Sequence, residues 1–410
     1  MTSGQLTRVS DPRKTIVVTG VGVVSPYGIG IDCLQVGMLS GKCCLAFTKD
    51  LYPGFVGSTA QVRSLPPVEN ELSLRYSRSD RLAMVAARDA VRNLDQEIAT
   101  LRAGGVFMAS TVAGLSEIDP EIAEDPAAWY RRGGLAQAVS YPAACVADAV
   151  GENLGVRGPR CAVSAACASS AMAIALAANM LLDGAAPVML AGGSDALCPF
   201  TLSGFNSLQA LDPDPCRPFD RNRKGLNLGE GAAVLVLETL EHAEARNANV
   251  LAVLRGWAMT NDAFHSTAPQ TQGNGLAACM RLAMEMAELS SDDIGYVNAH
   301  GTGTPLNDVA ETCAYETVFR GRKEPVPVSS TKSYFGHCLG AAGALEAIIA
   351  IIAVRCGALL PTLRLTDPIE STSVNWLGGE VLCQELPVAM SVSAGFGGSN
   401  AALIFGSGRG

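Results

Sequence analysis

The 410 residues predict an α/β body with largely buried sheets, on three observations. β-branched runs alternate with Ala- and Leu-rich stretches instead of following one another, the pattern of helices laid over a sheet. Hydrophobic residues make up 48% against 17% charged, which supplies a large core and excludes a disordered chain. The 43 Gly and 21 Pro punctuate short segments, with no low-complexity stretch or long linker between them. At roughly 150 residues per domain, such a length fits two or three domains or one large α/β body.

The first strand is expected at Ile16 to Val18, within TIVVTGVGVV. Arg8, Arg13 and Lys14 precede it and imitate a secretory signal, but no small-x-small cleavage site follows, so the run reads as a buried strand. Ser25 stands at the third glycine position of a dinucleotide fingerprint, so TGVGVVSPYG reads as strand and turn, not as a cofactor site. Further strands are expected at Val188 to Leu190, Ala233 to Leu237, Val250 to Leu254, Val326 to Ser329 and Ala401 to Phe405. Ala344 to Leu360 is strongly apolar, yet Glu346 and Arg355 interrupt it and it is short for a bilayer; a buried helix is expected. A weak repeat runs through the chain: GPRCAVSAACASSAMAIALAANMLL around Cys167 and EPVPVSSTKSYFGHCLGAAGALEAIIAII around His337 share a strand, turn and helix plan. Each is followed by a glycine turn and a hydrophobic strand. Two similar halves meeting near residue 250 account for this, and so does the ordinary alternation of any α/β protein.

Lys and Arg number 30 against 39 Asp and Glu, a formal charge of -9 that argues against nucleic-acid binding as the main activity. Thirteen cysteines lack paired spacing, and no two stand in a C-x-x-C arrangement, so neither a disulfide framework nor a zinc site is expected. A soluble protein of the reducing cytoplasm, with most thiols acting as small buried hydrophobes, is the expectation.

Chemistry is expected where small residues surround a reactive one. Cys167, in SAACASSAM, stands where a strand ends and a helix begins; the helix N-terminus there is expected to stabilise a thiolate and lower the thiol pKa. His300 opens the loop Gly301, Thr302, Gly303, Thr304, whose small residues admit a ligand and whose hydroxyls can bind it. His337 stands at another helix start, which favours a neutral imidazole free to donate, with Lys332 before it and Glu346 within the helix. In SVSAGFGGSNAALIF, Phe396 lies among Gly395, Gly397 and Gly398, where backbone amides can converge on an anionic oxygen. His242, in LEHAEARN, reads as a surface helix residue.

Six motifs together, VVTGVGVVSPYG, AACASS, CRPFDRNRKGLNLGEGAAVLVLE, NAHGTGTP, STKSYFGHCLGAAGALE and GFGGSNAALIF, resemble in order the β-ketoacyl-acyl-carrier-protein synthases, and the synthase II branch best. The resemblance implies the thiolase fold: duplicated halves, residues 1–250 with the nucleophile and 251–410 with both histidines, in a five-layered αβαβα body. It implies Cys167 as nucleophile, His300 and His337 as donors to a malonyl thioester oxygen, and Lys332 with Glu346 orienting the site electrostatically. The amides of Cys167 and Phe396 are implied as an oxyanion hole, with Gly395 and Gly397 shaping the Phe396 gate. Thr302 and Thr304 match positions holding a pantetheine arm, Val112 and Phe205 positions lining an acyl tunnel, and His265 a position near its mouth. An acidic acyl carrier protein is the implied partner, with Arg75, Arg78, Arg131 and Arg132 as its candidate basic patch. No cofactor, metal, nucleic acid or membrane is implied, since substrates arrive on the carrier's phosphopantetheine. The body is implied to be a dimer, homodimeric or with a paralogous synthase subunit.

The second histidine separates the chain from initiating and chalcone-type relatives, which carry Cys, His and Asn, and the last glycine-rich loop lacks the second cysteine of thiolases. Cys338 reads as a bystander. Tyr334, Phe335, Ala394 and Gln209 depart from the housekeeping pattern at positions bearing on substrate and partner, pointing to polyketide or aryl-polyene assembly beside fatty-acid synthesis. A chain-length factor of the same fold is the alternative, though such subunits usually lack the cysteine. A cysteine acyl hydrolase fits the two separate histidines poorly.

Overall fold

In the computed structural model, residues 11, 13–49, 51, 55–67, 75–94, 98–117, 125–131 and 141–408 are described. Five strands build the first unit: β1 (Ile16–Ser25), β2 (Gly105–Ala109), β3 (Arg160–Val163), β4 (Val188–Asp195) and β5 (Gly231–Thr239). Another five build the second: β6 (Ala252–Asn261), β7 (Tyr296–Asn298), β8 (Val326–Ser329), β9 (Val388–Gly395) and β10 (Ser399–Ser407). The spatial order is β3-β2-β4-β5-β1 in the first and β8-β7-β9-β10-β6 in the second, which is third, second, fourth, fifth, first both times. Pairing sense repeats as well. The third, second and fourth strands of each unit run parallel, while the fifth is antiparallel to the fourth and to the first. The repeat in the sequence is therefore a repeat of topology.

Helices follow the same plan. The first unit has α1 (Arg78–Ala90), α2 (Cys145–Leu154) and α3 (Ser169–Leu182), with α4 (Pro199–Ser207) between β4 and β5; the second has α5 (Asn274–Met286), α6 (Pro305–Phe319) and α7 (Ala342–Cys356). Each third helix, α3 and α7, packs on its own sheet, on the other sheet and on the other helix. The order of layers is α1 and α2, sheet, α3 and α7, sheet, α5 and α6. The sheets also meet edge to edge through the pairs Ile16↔Leu254, Val17↔Val253 and Val18↔Ala252.

A helix between two sheets has no solvent face, which explains the composition of α7. Every residue from Ala342 to Val354 is buried, Glu346 included. The apolar segment Leu339–Cys356 is long enough to cross a bilayer, but 89% of it is buried inside the protein, as expected of a core helix. Small residues set how closely α3 and α7 cross: a Cβ on Gly343 would come within 2.8 Å of the Ala171 nitrogen. Of these ten strands, GVFMA (β2) and VAMSVSAG (β9) escaped the sequence reading; neither run is dominated by β-branched residues.

Candidate active site

The parallel strands β2, β3, β4 and β7, β8, β9 end on the loops that carry the candidate residues. Cys167 follows β3 on a tight turn in which Ala166 adopts φ 48, a left-handed conformation that alanine holds only under constraint. Ser169, the first residue of α3, ties the turn: its hydroxyl donates to the Ala166 carbonyl (2.5 Å) and accepts from the Ala165 amide (2.8 Å). Gly395, at the end of β9, faces this turn so closely that a Cβ there would lie 3.0 Å from the Cys167 nitrogen. The Phe396 amide favours the Cys167 anion, partly offsetting its burial. Nucleophile and glycine turn thus come together from opposite halves.

The thiol departs from expectation. Burial pushes Cys167 up to about 12, against which the Lys332 charge and the Phe396 amide act only in part; Asp195 and Glu346 add to the rise. The helix N-terminus does not yield a standing thiolate, because desolvating a sulfur anion outweighs the fixed dipoles around it.

His300 and His337 are buried beside it, and one ligand-type atom from each of the three residues lies within 4.8 Å of the others. The two rings meet edge to face with centroids 5.3 Å apart. Lys332, also buried, sends its ammonium to the His300 carbonyl oxygen (2.6 Å), to His300 Nδ1 (3.3 Å) and to Glu346 Oε1. The Leu339 amide donates to His337 Nδ1 (3.2 Å). Both Nδ1 atoms are therefore acceptors, and each neutral ring must carry its proton on Nε2. His337 Nε2 is buried with no hydrogen-bond partner among the described residues. Desolvation, followed by the Lys332 charge, drives both imidazoles well below the ordinary histidine value, with each a neutral donor at pH 7.

Two carboxylates that the sequence reading missed hold the His300 loop. Glu311 accepts from the amides of His300 (2.7 Å) and Gly301 (2.8 Å) and from the Tyr315 hydroxyl (2.6 Å). Asp308 accepts from the amides of Gly303 (3.1 Å) and Phe219 (2.7 Å). Their signal was an acidic pair three residues apart, opening the helix after HGTGTP. Thr302 and Thr304 face each other across the same loop, hydroxyl to hydroxyl at 2.9 Å.

Val112 and Phe205 fall in one small hydrophobic cluster with Leu202, Leu228 and Leu339, separate from the main cores. Phe205 stacks at 5.5 Å on Phe396, which is 36% exposed. The loop after β6 clasps the Phe396 turn: Gly397 donates to the Ser266 carbonyl and accepts from Asn261 Nδ2, both at 2.8 Å. His265 is exposed on that loop, its Nδ1 taking the amides of Thr267 and Ala268. Among the described candidate arginines, two are already paired with carboxylates. Arg78 is bound to buried Glu230 and to the Val62 carbonyl, Arg75 pairs with Glu152, Arg131 is exposed, and Arg132 lies outside the described residues. His242 lies on the short helix Leu240–Ala245, half-buried, with its ring 2.6 Å from Glu238. Cys338 is buried, and burial pushes its thiol up, as suits a bystander.

A duplicated five-layer α/β body, with a buried cysteine and two donor histidines where the halves meet, defines the condensing acyltransferases of the thiolase fold. The model of the β-ketoacyl synthase N-terminal domain matches residues 13–243 and that of the C-terminal domain residues 251–366, and the chain belongs to the β-ketoacyl synthase family. Nodulation protein E of Rhizobium meliloti is 37% identical over 411 residues, covering 96% of this chain and 99% of that protein. The 3-oxoacyl-[acyl-carrier-protein] synthase 2 of Staphylococcus aureus (strain COL) is 33% identical over 410 residues, covering 96% and 98%. Among solved structures, the ishigamide ketosynthase/chain length factor superposes with a TM-score of 0.89 at 29% identity, covering 96% of this chain and 99% of that one.

Proposed function

We propose that the chain joins an acyl group, held on Cys167, to a malonyl unit delivered by an acyl carrier protein, forming a 3-oxoacyl carrier protein. The observation that carries this is a pair of buried imidazoles, each with its Nδ1 engaged, beside one buried sulfur. In the first half-reaction the Cys167 sulfur attacks the acyl thioester; the new C–S bond replaces the old, and the thiol proton leaves with the carrier's sulfur. The amides of Cys167 and Phe396 hold the oxyanion of that step. A neutral thiol suits it, because the proton needs to move only during attack. In the second half-reaction the bond from the malonyl methylene to its carboxylate breaks and carbon dioxide departs, its electron pair remaining as an enolate. His300 and His337 donate from Nε2 to the enolate oxygen, each worth about 3 kcal/mol in a site closed to water. The enolate carbon attacks the acyl carbonyl, and the Cys167 sulfur leaves and recovers a proton.

Lys332 orients this machinery. Its three acceptors occupy the ammonium, so it fixes the His300 tautomer instead of acting as a base. A metal among Cys167, His300 and His337 would face that same ammonium, and the reaction here needs neither metal nor cofactor. The partners are an acyl carrier protein and a second synthase-fold subunit, a copy of this chain or a paralogue. All thirteen cysteines are free thiols, which supports the cytoplasm as the compartment. Tyr334 and Phe335, just after Lys332, are buried and Gln209 is exposed at φ 53, so the departures from the housekeeping pattern fall on both buried and exposed positions. They support a dedicated pathway of the polyketide or aryl-polyene kind. The intact cysteine and histidines disfavour a non-catalytic chain-length factor.

Intact-mass measurement after incubation with acyl carrier proteins of varied chain length tests the proposal. An acyl adduct on Cys167, followed by carbon dioxide release and a 3-oxoacyl product once malonyl carrier protein is added, is expected. No adduct with any acyl donor would sink it.

A further inference from the structure

We propose that Asp195 is a positioning residue that holds the His337 turn in register with the acyl pocket, an inference that rests on the reading of the site given above. Asp195 ends β4 and is wholly buried. Its Oδ1 accepts from the Ser110 hydroxyl (2.5 Å) and the Val112 amide (3.1 Å); its Oδ2 accepts from the Thr111 hydroxyl (2.7 Å) and the Gly340 amide (2.6 Å). The Thr111 amide lies 3.0 Å from both oxygens. The three amides can only donate and the two hydroxyls can do so, so both oxygens are fully engaged, and these hydrogen bonds oppose the burial that pushes the carboxyl up.

These donors come from opposite halves. Residues 110–112 follow β2 and include Val112, in the hydrophobic cluster beside Phe205. Gly340 belongs to the turn after His337. Within that turn Leu339 is held at φ 49, its amide fixes His337 Nδ1, and its side chain packs in the same cluster as Val112. A left-handed leucine persists only where its surroundings over-determine it, and the Gly340 bond to Asp195 is the adjoining constraint. One anion thereby sets the distance between the pocket wall and the imidazole. Without it, the Leu339 amide is free to leave Nδ1, and the His337 proton can move there. Nε2 would then be bare and unable to donate to the thioester oxygen.

The chain has four histidines, which makes the ring nitrogens separately assignable by NMR in histidine-labelled full-length protein. In the wild type, His337 is expected as the Nε2–H tautomer. In Asp195→Asn, whose amide group opposes the same N–H donors, a mixed tautomer is expected, and carbon dioxide release per acylated enzyme should fall about 30-fold. Thr111→Val removes one hydroxyl donor and keeps the carboxylate; the same shift is expected with about a 3-fold fall in carbon dioxide release. A purely structural Asp195 would lower the melting temperature and leave the tautomer of the folded protein alone. Wild-type tautomer or wild-type release in Asp195→Asn overturns the proposal, and if that variant does not fold, the same result in Thr111→Val overturns it. A wild type that never releases carbon dioxide, while the tautomer still shifts between variants, would sink the reading of the reaction and leave the positioning role standing.

Discussion

The two halves share strand order and pairing sense, yet they contribute opposite kinds of chemistry. After β3, the first half has a turn of small residues, an uncharged thiol and the Ala-rich α3; after β8, the second half has Lys332, His337 and, within α7, Glu346. The exit of β2 supplies Val112 to a hydrophobic cluster, whereas the exit of β7 supplies His300 and its acid-tethered loop. Duplication placed three loops from each half around one centre, with the proposed nucleophile and a hydrophobic cluster on one side, and charge and the proposed proton donors on the other. A fold repeated this closely constrains where a site lies; it does not constrain what each loop carries.

That division can be broken experimentally. Cys167→Ala should remove the acyl adduct in intact-mass analysis and cut condensation by about 10³-fold or more, since no other group takes the covalent role. His337→Ala should cut carbon dioxide release by about 10²- to 10³-fold and leave acyl loading on Cys167 intact; an equal fall in loading would dissolve the separation of roles. The thiol's elevated value carries a definite sign: below about 12 it stays protonated, so its thiolate fraction grows tenfold per pH unit. Iodoacetamide labelling of Cys167 should therefore rise about 100-fold from pH 7 to 9, and a flat profile would mean that an imidazole already shares the proton. Gly395→Ala, which drives a methyl against the Cys167 turn, should slow acyl loading about 10-fold and lower stability by about 1–3 kcal/mol, read from loading time courses and denaturant curves.

Legibility followed the range of the interactions. The runs at Ile16, Val188, Ala233 and Ala401 are strands because β-branched density and burial act locally, and α7 is a helix because thirteen consecutive buried residues fit only between two sheets. Cys167, His300 and His337 stood out because each sits beside glycine or other small residues at a strand exit. The pairing of Arg78 was not legible: its partner Glu230 lies far along the chain, and nothing local marks an arginine as already paired. Asp195 was invisible for the same reason, since its donors come from residues 110–112 and 340.

By itself the sequence determined the layered class, the repeat and the residues able to do chemistry, all of which depend on neighbours within a turn or a strand. Only the tertiary structure decided that the thiol stays protonated, against the thiolate its helix start suggests. The thiol is neutral because folding removes it from water, and the imidazoles donate from Nε2 because Lys332 and the Leu339 amide occupy their other nitrogens. Desolvation belongs to the assembled core, where Cys167 meets His300 and His337, more than a hundred positions away.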